Sequence, residues 1–118
     1  MNIEMLREYC LSKKATTEEL PFDDDALVFK VYNKMFALTS ISEPKSVNLK
    51  CDPEKAIELR EHYSCVIPGW HMNKKHWNTI NFDGSVSDNF IKSWIDDSYD
   101  LVVQGLPLKL RNELKSFD

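Results

Sequence analysis

Leu27-Val28-Phe29-Lys30-Val31-Tyr32-Asn33-Lys34-Met35-Phe36-Ala37-Leu38-Thr39-Ser40-Ile41 is the stretch on which the fold turns. Leu27, Phe29 and Val31 alternate with Val28 and Lys30, and a period of two sends these sets to opposite faces of a strand. Lys34 to Ile41 continues in the same manner after Tyr32-Asn33. Two such runs joined by so short a link predict a β-hairpin, and therefore an antiparallel sheet.

Further elements follow on either side. Val47, Leu49 and Cys51 alternate with Ser46, Asn48 and Lys50, which predicts another half-buried strand, and Asn78 to Phe82 reads as one more, closed by the turn pair Asp83-Gly84. Asn2 is a good N-cap for a helix over 3–12 that places Ile3, Leu6, Tyr9 and Cys10 on one stripe. Asp52-Pro53-Glu54 combines a capping carboxylate, a proline at the first helical position and an acid at the positive end of the dipole, so a second helix runs to about Tyr63. Ser87 caps a long helix with Phe90, Ile91, Trp94, Ile95, Ser98 and Val102 inward and Lys92, Asp96 and Asp100 solvated. Within it, Ser98-Tyr99 reads as a helix-to-sheet contact with a satisfied hydroxyl. Pro107 opens a last short helix to about Lys115. The residues before Leu20 read as a polar link, Pro21-Phe22 as a lead into the hairpin with a core aromatic, and Ile67-Pro68-Gly69 as a break. Helices and strands grouped in this way predict a single α+β domain over 1–118, a mainly antiparallel sheet flanked by helices.

Composition narrows the function. The chain has 118 residues, a formal charge of −4 and only three glycines, each with a turn or helix-end explanation, so no glycine loop to cradle phosphates is expected. Residues 1–25 hold seven acids and three bases, which carries the whole acidic excess. Residues 27–81 hold eight bases and five acids together with all three histidines, leaving a mildly basic middle. No run approaches the ~18 apolar residues of a membrane span. Three cysteines, Cys10, Cys51 and Cys65, stand at wide spacings that form neither a disulfide framework nor a CxxC motif, so buried thiols in a reducing cytoplasm are expected.

The densest chemistry is Cys65-Val66-Ile67-Pro68-Gly69-Trp70-His71-Met72-Asn73-Lys74-Lys75-His76-Trp77. Cys65, His71, His76 and His62 are metal-ligand types, but their spacing matches no zinc pattern, and His71 and His76 do not share a helical face. No metal and no other cofactor is expected. Cys65 beside a histidine would be a nucleophile with a base, yet no oxyanion donor accompanies it, so no catalytic residues and no enzymatic activity are assigned. His62, near a helix C-terminus, suits a dipole-complementing surface role. As a nucleic-acid surface, Lys74, Lys75, His71 and His76 would meet phosphates while Trp70 or Trp77 stacks; the competing reading puts both tryptophans in the core.

These residues resemble a known family. Leu20-Pro21-Phe22, the hairpin, Val47-Asn48-Leu49-Lys50-Cys51-Asp52-Pro53, the Ile67-to-Asn78 run and Asp97-Ser98-Tyr99-Asp100-Leu101-Val102 are similar to the MmcQ/YjbR-like family along nearly the whole chain. The resemblance implies a small bacterial cytoplasmic α+β domain of frataxin-like and secretion-chaperone-like build. It also implies DNA binding through a double-wing sheet, an inference from fold. It carries no catalytic residues, and the Asp23-Asp24-Asp25 turn is more acidic than is usual in relatives. On that reading Lys30, Lys34, Lys50, Lys74 and Lys75 form a cationic track on the sheet face, making about four to six salt-sensitive phosphate contacts to double-stranded DNA without reading bases. The alternative is a protein- or small-ligand-binding module in which the 71–77 turn lines a pocket, with Trp70 or Trp77 exposed beside it.

Overall fold

A computed structural model describes residues 1–117. Among the described residues the order is α1 (Ile3–Leu11), β1 (Thr16–Glu19), β2 (Ala26–Val31), β3 (Lys34–Ser40), β4 (Ser46–Lys50), α2 (Pro53–His62), β5 (Val66–Pro68), β6 (Trp77–Asn81), α3 (Asp88–Gln104) and α4 (Leu108–Lys115). The strands form one six-stranded sheet in the order β1-β2-β3-β4-β6-β5, with every neighbouring pair antiparallel. Among the described residues no helix is long and apolar enough to cross a membrane.

The predicted hairpin is β2–β3. Tyr32 and Asn33 both have positive φ, 46° and 66°, the pairing of angles whose twist matches that of the flanking strands. The ladder is interrupted once: Phe29 pairs with Ala37 and Lys30 with Met35, so Phe36 is an extra residue in β3. The bulge lets Phe36 and Ala37 both enter the core, where the Phe36 ring meets Tyr99 edge-on at 5.3 Å.

The bulge also disturbs β3–β4. That register places Phe36 opposite Lys50, but the Lys50 N–H donates to Ser98 Oγ at 2.9 Å and the Ser98 hydroxyl donates to the Phe36 carbonyl at 2.6 Å. A helix serine thus stands in the ladder. Tyr99 beside it donates to the Lys14 carbonyl at 2.6 Å, holding the α1–β1 turn. Both hydroxyls are satisfied between helix and sheet, as expected.

Two strands correct the sequence reading. The polar link contains β1, an edge strand whose Thr16-Thr17-Glu18-Glu19 lacks an apolar alternation because little of it is buried. The break at Ile67-Pro68 contains β5, the opposite edge, where a proline without an N–H is tolerated. The long helix differs too. Phe90 is 49% exposed and Tyr99 replaces it on the buried stripe, while Asp96 accepts from the Tyr9 hydroxyl and from Lys13 rather than facing only water.

Helices α1 and α3 cover one sheet face, burying Leu27, Phe29, Val31, Val47, Leu49, Val66 and Ile80 against Leu6, Cys10, Ile91 and Ile95. At the β6 end, Asn78 donates to the Ala56 carbonyl of α2 at 3.2 Å and accepts from Arg60 Nε at 2.6 Å. The opposite face has no helix over it. Alternation and register assign Ala26, Met35, Leu38, Ser40, Ser46, Asn48, Thr79, Asn81 and Ile67 to that open face.

Candidate functional site

The loop between β5 and β6, residues 69–76, rises over one end of the open face and is braced from several sides. Gly69 N–H donates to the Trp77 carbonyl at 2.9 Å, Trp77 N–H to the Asn73 carbonyl at 2.9 Å, and Met72 N–H to the Gly69 carbonyl at 3.2 Å. Lys74 Nζ donates to that same Gly69 carbonyl at 3.0 Å, Lys75 N–H to Asn73 Oδ1 at 2.9 Å, and Arg60 to the Lys74 carbonyl. His71 holds φ at 56°, a left-handed conformation unusual for a residue with a Cβ.

What it presents is Trp70, 67% exposed, with its ring edge-on to His71 at 4.8 Å. The Trp70 backbone N–H donates to Thr79 Oγ1 at 2.9 Å. The Thr79 hydroxyl sends its one proton to Asn48 Oδ1. Thr79 and Asn48 are opposite each other in β6 and β4, and both are buried.

Between this loop and the turn before β2 the open face is concave. A cavity of about 880 Å³ has a floor that includes Met35, Leu38, Asn48 and Thr79, with Ile67, Trp70, His71 and Met72 on one side and Phe22, Asp23, Asp25 and Glu43 on the other. Asp25 accepts from the Ser40 hydroxyl at 2.6 Å and from the Ser42 N–H at 2.7 Å, and these bonds hold its carboxyl below the usual carboxylate range. No lysine or arginine lines this cavity. A larger groove of about 990 Å³ runs along α1 and β1, lined by Glu4, Arg7, Glu8, Glu18 and Leu20; there Arg7 is spent on Glu18 in a two-bond pair at 2.6 Å.

The predicted cationic track is dispersed. Lys30 faces the open side but lies 3.6 Å from Glu19. Lys74 bonds the Gly69 carbonyl, Lys75 is exposed at the loop tip, and His76 is half-buried with its carbonyl accepting from the Cys51 N–H at 2.8 Å. Lys34 and Lys50 do meet, in a cleft of about 380 Å³ with Met35, Leu101, Val102 and Gly105. Of the two tryptophans considered for stacking, Trp77 is corrected: it is 8% exposed, with Gly69 of the loop close against its Cβ, and is buried. Phe22 is corrected in the other direction, since it is 68% exposed at the cavity rim. Cys65 is fully buried in the core while His71 is exposed on the loop, so the two are not brought together. Among the described residues no group of three His, Cys, Asp or Glu side chains is arranged to hold a metal ion. Thr79 went unnoticed in the sequence; a hydroxyl in the middle of the Asn78–Phe82 strand was the available signal.

A family model described as YjbR matches residues 11–101, most of the chain. The chain belongs to the YjbR family. Within that family it is 37% identical over 115 residues to the uncharacterized protein YjbR of Escherichia coli K12, covering 97% of this chain and 98% of that one. To the uncharacterized protein YbdF of Escherichia coli O157:H7 it is 39% identical over 87 residues, 73% of this chain and 71% of the other. The crystal structure of Deinococcus radiodurans protein DR2400, described with the domain name DUF419, superposes with a TM-score of 0.88 at 40% identity, covering 97% of this chain and 88% of that chain. A Pseudomonas syringae protein solved by crystallography is similar at 30% identity and a TM-score of 0.74, covering 86% and 98%. The fold expected from the YjbR resemblance, an α+β domain with an antiparallel sheet flanked by helices, is the fold observed.

Proposed function

We propose that this YjbR-family domain is a non-enzymatic binding module whose ligand sits in the open-face cavity beside Trp70. The observation that carries the reading is an indole 67% exposed on a loop that is otherwise fastened down, at the wall of a concavity of about 880 Å³. Most large aromatic side chains are buried, and a rigid exposed one beside a concave, mainly apolar floor with a few fixed polar groups has the composition of a ligand site. Its setting is the cytoplasm, in keeping with three free, buried thiols. Titrating the isotope-labelled chain with a panel of neutral, anionic and cationic fragments tests this. Amide shifts confined to Asn48, the 67–72 segment and Thr79, and lost in Trp70→Ala, are expected. Fragments that bind only elsewhere, or not at all, overturn it.

Double-stranded DNA is the second reading, favoured by one observation, the shared cleft of Lys34 and Lys50. Two lysines and the exposed Lys75 support only weak phosphate contacts, without base reading. Binding of a labelled duplex at low salt that disappears in Lys34→Glu with Lys50→Glu supports DNA; no binding at low salt removes it.

A further inference from the structure

We infer that the open-face cavity takes an organic cation, an ammonium or guanidinium group on an apolar arm with a hydrogen-bond acceptor beside it; this rests on the cavity being the ligand site. Two independent features of the lining select that chemistry.

The first is a donor that opens into the cavity with no protein acceptor beside it. Thr79 Oγ1 accepts from the Trp70 N–H and donates its own proton to Asn48 Oδ1, which turns the Asn48 amide nitrogen away from Thr79. The Asn48 amide nitrogen then has no hydrogen-bond partner among the described residues, although the residue is only 8% exposed and lines the cavity. A fixed amide N–H pair on a mainly apolar floor is a ready donor for a ligand carbonyl or ether oxygen.

The second feature is the sign of the rim. Asp23, Asp25 and Glu43 line the cavity, and His71 is the one other titratable side chain among its lining residues. Asp25 is kept ionised by the Ser40 hydroxyl and the Ser42 N–H, so this carboxylate persists below the ordinary range. Phe22 and Trp70 stand exposed on opposite sides, and an aromatic face attracts a cation further. The three carboxylates of this rim repel an anionic group.

The experiment uses the whole chain, labelled with nitrogen-15, and three matched probes: Nα-acetyl-arginine methylamide, its neutral norleucine counterpart and its acidic glutamate counterpart. The arginine probe is expected to move the Asn48 side-chain amide signals and the Trp70 indole signal, and to bind at least about threefold more tightly than the neutral one. In Glu43→Gln with Asp23→Asn its affinity should fall about three- to tenfold while the neutral probe is unaffected. Both substitutions leave the fold intact, since Glu43 is exposed and an asparagine at 23 keeps the oxygen that accepts from the Asp25 and Ala26 N–H groups. Equal binding of the neutral or acidic probe at these signals overturns the cation inference and leaves the cavity reading standing. No probe moving them overturns both. Benzylguanidinium and a Gly-Ser peptide with one central arginine separate the sources: tighter binding of the first assigns a free small cation, and of the second a basic side chain on a partner polypeptide, either one supporting the cation.

Discussion

Gly69 approaches Trp77 so closely that a Cβ at position 69 would lie 2.9 Å from the Trp77 Cβ and 2.9 Å from its carbonyl oxygen. A methyl group there has to push apart the base of the loop that presents Trp70. Gly69→Ala is therefore expected to lower stability by about 1–3 kcal/mol, the range for overpacking, and to loosen the hydrogen bond from Gly69 N–H to the Trp77 carbonyl. Denaturant unfolding measures the first effect and amide exchange at Gly69 the second. Unchanged stability with unchanged exchange would mean that the loop base is not tight.

Ser98 offers a second test, this time of the sheet. Its hydroxyl is the sole link between Lys50 N–H and the Phe36 carbonyl at the point where the bulge separates β3 from β4. Ser98→Ala leaves a buried donor and a buried acceptor unpaired at once, so a loss of about 2–4 kcal/mol is expected, larger than for an ordinary surface serine. Ser98→Gly should be no better, because it also weakens the helix. Urea midpoints compared with Ser93→Ala, an exposed serine on the same helix, decide the matter; equal losses at the two sites would refute the bridging role.

The same serine shows what a sequence reading reaches. That Ser98 and Tyr99 carry satisfied hydroxyls between helix and sheet follows from polar groups lying on or beside an apolar stripe. Their partners do not, because Phe36 is opposite Lys50 only through a bulge that period-two alternation conceals. The hairpin, the strand at Val47 and the capped helices were legible, since each has a strong local pattern. The edge strands β1 and β5 were not, because an edge strand that buries few side chains needs no alternation. At the candidate site the exposed Trp70 was anticipated only as one of two options. Trp77 and Trp70 have the same local chemistry, and which one is covered depends on how the 69–76 loop closes.

That division between the tryptophans can be measured directly. Trp77 and Trp94 are 8% and 7% exposed against 67% for Trp70, so iodide should quench one indole population and spare the rest. Trp70→Phe is expected to abolish nearly all of the accessible fraction without changing the far-ultraviolet spectrum. Persistent quenching in that variant would place a second indole at the surface.

Stability should also depend on pH, with opposite signs at the two ends. Burial pushes the Cys10 thiol from about 9 up to about 12, and burial together with the bond to Asp96 pushes Tyr9 up to about 12, as burial also does for Tyr99. In the unfolded chain these groups lose their protons earlier, the thiol first and the phenols near 10. Above about pH 9 proton loss therefore favours unfolding, and the stability these groups contribute is complete below that point and declines toward about pH 12. On the acid side Asp25, held down by Ser40, and Glu18, held down by Arg7, act in reverse: their contribution is present above the ordinary carboxylate range and lost as pH falls through their lowered values. Urea midpoints from pH 2 to 11 should give a plateau near neutrality with losses on both sides. Cys10→Ala separates the thiol from the phenols. It opens a small cavity and lowers the plateau by about 1 kcal/mol, yet it should lessen the decline that begins near pH 9, of which the Cys51 thiol, also pushed up by burial, keeps a part, while the part beginning near pH 10 remains. An unaltered alkaline limb in that variant would show that the buried thiol does not titrate on unfolding.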